Sequence, residues 1–252
     1  MAAPPALADV ERWMDKLFVA AAGASLRVED KRKAVEVTAL LAEIKRARAR
    51  AGNRETFTLV DAAAGKSYVG LLAAALVLEP EARVVAIERE PQRARTAAQA
   101  AAMLEGRDVR IAVGDVGDES LWPARPELVV ALHACGPAAD LVIDRAIAAG
   151  AARLLVVPCC TGAAIAAMPA AIAAAERTGI PRHAAVRRRY VQAFIDAERT
   201  LRLEGAGYET EVVELCAPTV TPHNLVWRAR RVGEPTRSES ARRQHAALVR
   251  VG

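Results

Sequence analysis

The residues of this chain whose types and spacing could do chemistry are Asp61, Glu88, Asp115, His133, Cys135 and Cys159. They comprise three carboxylates that can accept hydrogen bonds, an imidazole that titrates near neutrality and two thiols. Each lies at or just after the end of a short β-prone run: Phe57 to Val60, Arg83 to Ile87, Val109 to Val113, Leu128 to Leu132 and Arg153 to Val157. Ligands of open α/β sheets sit beyond the carboxyl ends of the strands. If these runs are neighbouring strands, the six side chains share one rim.

The stretch FTLVDAAAGKSYVGLLAAALVL, Phe57 to Leu78, reads as strand, small-residue turn and helix. Asp61 ends the strand. Ala62, Ala63, Ala64 and Gly65 leave the backbone open to close approach, and the helix that follows turns its free N–H groups toward the same place. A phosphate-binding P-loop is excluded, because Leu59 or Val60 would have to be its first glycine. A G-x-G-x-x-G dinucleotide turn is excluded, because its positions read Ala63, Gly65 and Tyr68. The remaining option is the S-adenosylmethionine (SAM) loop D-x-G-x-G, with Ala63 in place of the first glycine. A left-handed backbone at Ala63 costs about 1–2 kcal/mol, so the turn is expected to bend differently or to make a weaker site.

The other rim residues each admit two readings. Glu88 can accept both hydroxyls of a ribose or be a surface acid, and its place one strand-helix-strand unit beyond Asp61 favours the ribose. Asp115, in VGDVGD, can receive the adenine amino group or cap a turn. His133, in LHACG, can be a general base, or can hold a substrate or a backbone carbonyl. Cys159 and Cys160 cannot form an ordinary disulfide staple with each other. A metal site with His133 and Cys135 is disfavoured by the adjacent cysteines, whose spacing departs from C-x₂₋₄-C. Cys159 reads better as a small residue packed beside the cofactor, and no metal is assigned.

The elements that must position these groups are legible as periodicities. Leu7 to Ala51 is helical, with one apolar face from Val10, Trp13, Met14, Leu17, Phe18 and Ala21, and a second from Val35, Val37, Leu40, Leu41 and Ile44. Gly52-Asn53 stops it. These helices are expected to cover the site or a sheet edge; a substrate-recognition role is open, and packing is the simpler reading. From Phe57 strands and helices alternate, which implies a parallel sheet with helices on both faces. Helices are expected over Ala163 to Arg177 and His183 to Glu204. Tyr208 to Ala217 and Leu225 to Arg231, joined by Pro218 to Asn224, read as an antiparallel pair that closes the sheet. The arginines Arg182, Arg187, Arg188, Arg189, Arg199 and Arg202 could form a phosphate-binding face. A solvated helix face is the simpler reading, since Tyr190, Val191, Phe194, Ile195 and Leu201 supply the buried stripe. The TVTPHN loop, Thr219 to Asn224, is a hairpin turn whose His223 could line a substrate mouth.

The chain has 252 residues, 53% of them apolar but only 4% aromatic, which disfavours a stacking platform for several bases. Its formal charge of +5 is compatible with nucleic acid without selecting it. Asp9, Glu11 and Arg12 interrupt any signal peptide, and no apolar run reaches the roughly 20 residues that span a bilayer. A soluble cytoplasmic protein with reduced thiols and no membrane partner is the expectation.

DAAAGKSY, Glu88, LHACG with Asp140, PCC, and TPHN before the last strand together resemble a branch of the class I SAM-dependent methyltransferases. Related motifs occur in 2′-O-methyltransferases of the tRNA acceptor stem and in methyltransferase-like proteins fused to a glutathione-transferase-like domain. The resemblance covers Phe57 to about Val232. It implies the Rossmann-like seven-stranded α/β sheet with an antiparallel last strand, over residues 54–232; the periodicity before it reads as an N-terminal helical extension (1–53), and the polar, basic composition after it as a disordered tail (233–252). The resemblance implies SAM as cofactor, with Asp61, Ala63, Gly65, Lys66, Glu88, Asp115 and His133 around it. His133, Cys135 and Cys159 are then the catalytic candidates. Ser67 replaces a frequent glycine, and the N/D-P-P-Y motif of amino-group methyltransferases is missing. In-line methyl transfer to RNA (tRNA or rRNA) is the leading expectation. The alternatives are a small-molecule or protein acceptor, a catalytically weak SAM- or RNA-binding protein, or a thiol-based metal or redox module built on Cys135, Cys159 and Cys160.

Overall fold

A computed structural model describes residues 3–19, 25–52, 56–222 and 224–251. Ala21, Asn53 and His223, used in the sequence reading, lie outside these residues. The order of elements is α1 (Leu7–Phe18), α2 (Val28–Ala49), β1 (Thr58–Ala62), α3 (Tyr68–Leu76), β2 (Arg83–Glu88), α4 (Pro91–Ala101), β3 (Asp108–Val113), β4 (Leu128–Ala134), α5 (Ala138–Ala149), β5 (Arg153–Pro158), α6 (Met168–Arg177), α7 (Ala184–Gly205), β6 (Tyr208–Glu214), β7 (Leu225–Arg231) and α8 (Pro235–Val251).

The strands form one seven-stranded sheet in the order β3-β2-β1-β4-β5-β7-β6. β1 to β5 are mutually parallel, and β7 runs antiparallel to both β5 and β6. Alternate residues of each strand serve opposite layers, as the pleat requires. Leu59, Leu128, Val130, Leu155 and Val157 pack under α1 to α4, while Val60, Val129, Ala131, Val156 and Trp227 pack under α5 and α7. Being covered on both faces, the central strands read as continuous apolar runs. Each fully buried Leu or Val contributes about 1.5–3 kcal/mol. The chain order reverses between β1, whose next strand lies on one side, and β4, which lies on the other; this is the switch point at which a crevice opens.

Two expectations change here. The tail, read as disordered, is the helix α8. Its Ser238, Ala241, His245 and Leu248 recur at helical spacing and face α7: Ser238 and Ala241 are buried, His245 Nε2 lies 3.1 Å from Glu198 Oε1, and Leu248 joins the cluster of Phe194 and Ile195. Polar composition hid a narrow stripe that suffices because a partner helix covers it. The arginines of α7 also divide. Arg199 is 1% exposed and makes a two-pronged bond to Asp140, at 3.0 and 3.1 Å, joined by Arg202 at 2.6 Å. This cluster fixes α7 to α5. Arg188 and Arg189 remain solvated, as a charged helix face does.

Candidate functional site

The turn after β1 is built by two carboxylates. Asp61 Oδ2 accepts from Gly70 N at 2.9 Å and from Ser67 Oγ at 2.8 Å, so it holds the first turn of α3. Glu88, at the end of the neighbouring strand, accepts from Gly65 N at 2.7 Å through one oxygen and from Glu90 N at 2.8 Å through the other. Both acids therefore reach the same loop, and each hydrogen bond to a charged group is worth about 1.5–3 kcal/mol. Burial pushes the Asp61 carboxyl up to about 7, more than Gly70, Ser67 and Lys33 pull it down, and Glu88 adds to the rise.

The loop does not avoid the left-handed region. Ala63 has φ +54°, Gly65 +61° and Ser67 +56°. The expectation that Ala63 would bend the turn another way is thus corrected: the loop keeps its shape and carries the strain. The Ser67 hydroxyl bonded to Asp61 offsets that cost where a glycine offers nothing. A Cβ at Gly65 would meet open space, whereas one at Gly70 would lie 2.8 Å from Ser67 Oγ and 3.0 Å from Asp61 Oδ2. Gly70 is required because the helix comes so close to the acid.

His133 occupies a bulge. Leu132 pairs with Val157 and Ala134 with Pro158, leaving His133 as the extra residue of β4, at φ +61°. Such a bulge re-aims a side chain. His133 Nε2 meets Glu36 Oε2 of α2 at 2.8 Å, and Lys33 Nζ lies 3.6 Å from the same oxygen. Burial would lift the Glu36 carboxyl, but His133 and Lys33 together bring it below its ordinary value. Burial lowers the Lys33 ammonium despite Glu36. The sequence reading gave α2 a packing role and missed both residues. One signal was present: Glu36 and Glu43 stand on the stripe of Leu40 and Ile44, where an unpartnered acid would not persist.

These groups surround a cleft of about 350 Å³ lined by Lys33, Asp61, Ala63 to Lys66, Tyr68, Val69, Arg93, Leu132 and His133. It lies at the switch point between β1 and β4, in the size range of small-ligand sites. Tyr68 and Arg93 were not singled out from sequence. Lys66 is exposed on its rim. A cleft of about 430 Å³ lies away from the strand ends, between α2 and the strands β5 to β7.

Glu88 is not among the lining residues but bonds Gly65, which is, and the remaining candidates also fall outside the lining. Asp115 is exposed and accepts from Gly117 N at 2.8 Å, the turn-capping arrangement. Cys135 and Cys159 are joined in a disulfide with Cα atoms 5.5 Å apart. The expectation of reduced thiols is corrected for that pair, because the bulge brings Cys135 opposite the end of β5. Cys160 and Cys216 are free. Asn224, just before β7, donates from Nδ2 to Cys216 O.

A seven-stranded sheet in this order with β7 reversed, and a small-residue loop between two strand-end acids, defines the Rossmann-like architecture of class I SAM-dependent methyltransferases. The chain belongs to the family described as "Methyltransferase domain", whose profile matches residues 32–165, from within α2 to beyond β5. It is a SAM-dependent methyltransferase. Among solved structures it is similar to a magnesium protoporphyrin IX methyltransferase from Synechocystis PCC 6803 with bound SAH, at 12% identity and TM-score 0.52, over 83% of this chain and 90% of that one. It is also similar to an rRNA methylase from Streptococcus thermophilus, at 9% identity and TM-score 0.46, over 76% and 96%. The first of these likenesses concerns the fold alone. No curated protein sequence matches the chain. Among the described residues no helix is long and apolar enough to cross a membrane.

Proposed function

We propose that the cleft between β1 and β4 is the methyl-transfer site, and that the acceptor is RNA (tRNA or rRNA). One observation carries the site: strand-end acids and left-handed turn residues converge there with the Lys33–Glu36–His133 chain from α2. The residues fit SAM. Ionised Asp61 is an anionic group for a cationic ligand, and the Ala63–Gly65 turn leaves its backbone open. Glu88 spends one lone pair of Oε2 on Gly65 N of the loop and one of Oε1 on Glu90 N, and each oxygen keeps another for a hydroxyl. Asp61, Ala63, Gly65, Lys66 and Glu88 would hold the cofactor, with Asp115 at its outer end.

SAM supplies an already activated methyl group, so the chain's part is chiefly positioning. Glu36, held ionised, accepts the Nε2 proton of His133. That fixes the tautomer and leaves Nδ1 as the basic nitrogen, able to take the proton of an acceptor hydroxyl. Solvated Arg182, Arg188 and Arg189 and the net positive charge are compatible with a polyanionic acceptor. The missing N/D-P-P-Y motif favours oxygen over an amino nitrogen. The motifs LHACG and PCC support the branch that includes the acceptor-stem 2′-O-methyltransferases.

The test is transfer of labelled methyl from SAM to cell lysate fractionated into RNA, protein and metabolites. Label in RNA that disappears on RNase treatment is the expected result. Label retained after RNase, in protein or small molecules, assigns the acceptor to that fraction instead.

A further inference from the structure

Cys135, Cys159 and Cys160 meet at the ends of β4 and β5, beside the cleft and outside its lining. Their sulfurs all lie within 4.8 Å of one another. We propose that the reduced form of this cluster binds a thiophilic divalent cation of the zinc class through all three thiolates.

The first argument is spacing. Zinc–thiolate bonds of about 2.3 Å in a tetrahedron place two sulfurs about 3.8 Å apart. Cys159 Sγ and Cys160 Sγ are 3.8 Å apart. Adjacent cysteines thus reach one ion here because the chain leaves β5 after Pro158 and turns. Cys135 is brought to the same point by the bulge at His133, and Gly136 N bonds Cys160 O at 3.3 Å, which ties the two strand ends together. Opening the Cys135–Cys159 bond to the metal spacing requires only a small relaxation of Cα atoms 5.5 Å apart.

The second argument is chemistry. A disulfide engages two of the three sulfurs and leaves Cys160 unengaged at the surface, whereas a metal uses all three. The set is purely thiolate, which selects soft cations over magnesium or calcium. Cys135 stands just before the twelve-residue α5, whose positive end lowers the cost of a thiolate. No carboxylate belongs to the cluster among the described residues. Three protein ligands leave one tetrahedral position for water or for an acceptor atom.

The balance is simple. A dithiol reductant delivers two electrons and two protons to the Cys135–Cys159 disulfide, giving two thiols while it closes its own disulfide. The cation then displaces one proton from each of the three thiols.

The experiment uses the full chain, reduced with a phosphine under nitrogen and titrated with cobalt(II), followed by zinc. Thiolate-to-cobalt charge-transfer absorption with strong tetrahedral visible bands, saturating at one equivalent and abolished by zinc, is the expected result. Cys160→Ser should weaken cobalt binding by roughly tenfold or more, while leaving the Cys135–Cys159 disulfide able to form on oxidation. Cys216→Ser should change nothing. Should Cys160→Ser misfold, alkylation of the native chain decides: zinc should protect Cys135, Cys159 and Cys160 but not Cys216. A fully reduced chain without the cobalt spectrum, a Cys160→Ser variant that binds as tightly as the parent, or alkylation indifferent to zinc overturns the proposal. These readouts are independent of the methyl acceptor.

Discussion

Asp61 puts opposite pH dependences on stability and on ligand binding. Its folded-state value of about 7 lies above the ordinary 3.8 because burial disfavours the charge. The stabilisation this gives the empty protein is complete below about 4 and is lost as pH rises through about 7. Urea melts should therefore show the stability of the parent, relative to Asp61→Asn, falling over that interval and level above it. A cationic ligand prefers the ionised acid. Isothermal titration should show SAM affinity tightening from about pH 6 to 8, with the trend absent in Asp61→Asn. Glu36 makes a separate prediction. Glu36→Gln keeps the shape but loses the charge that fixes the His133 tautomer, so kcat should fall by at least about tenfold while SAM affinity holds. A fall in affinity with kcat intact would move Glu36 out of the transfer step.

At the scale of elements, the β1–α3 turn combines strain with close packing, and two substitutions separate them. Ala63→Gly removes the cost of a left-handed alanine. It should stabilise the fold by up to about 1 kcal/mol, the rest of the gain being lost to the freer unfolded chain. Gly70→Ala pushes a methyl into Ser67 and Asp61 and should destabilise by about 1–3 kcal/mol. Chemical denaturation checks both. The strands and helices around this turn were legible in the sequence because apolar runs and periodicity are local. Leu225 to Arg231 was found to the residue, and Asp61 and Glu88 followed from their strand ends. Glu36 and Lys33 were not legible as site residues, because their role exists only once α2 lies across the end of β4. The bulge at His133 depends on register with β5, which no single run of residues specifies. The Cys135–Cys159 pair was hidden for the same reason.

For the molecule as a whole, the family match ends near residue 165, yet the packing continues through α7, β7 and α8. The Asp140–Arg199–Arg202 cluster and the α7–α8 contact bind this second half to the first. Deleting residues 233–252 should cost at least about 2 kcal/mol, the burial of Ala241 and Leu248 together with the covered surface of α7. SAM affinity in the folded fraction should be unchanged, because no residue of α8 lines the cleft. Thermal melts with and without SAM measure the two effects separately. The tail looked structureless because a short stripe such as Ser238, Ala241, His245 and Leu248 means little until a partner helix is known.

β7 lies between β5 and β6, although β6 precedes it in the chain. During synthesis β6 leaves the ribosome before the strand that is its sole neighbour in the sheet, and β5 meanwhile keeps an open edge. The nascent chain must shield two unpaired strand edges until Leu225–Arg231 emerges and inserts between them. Ribosome stalling placed just before that segment should accordingly favour chaperone capture, and stalling well after it should not.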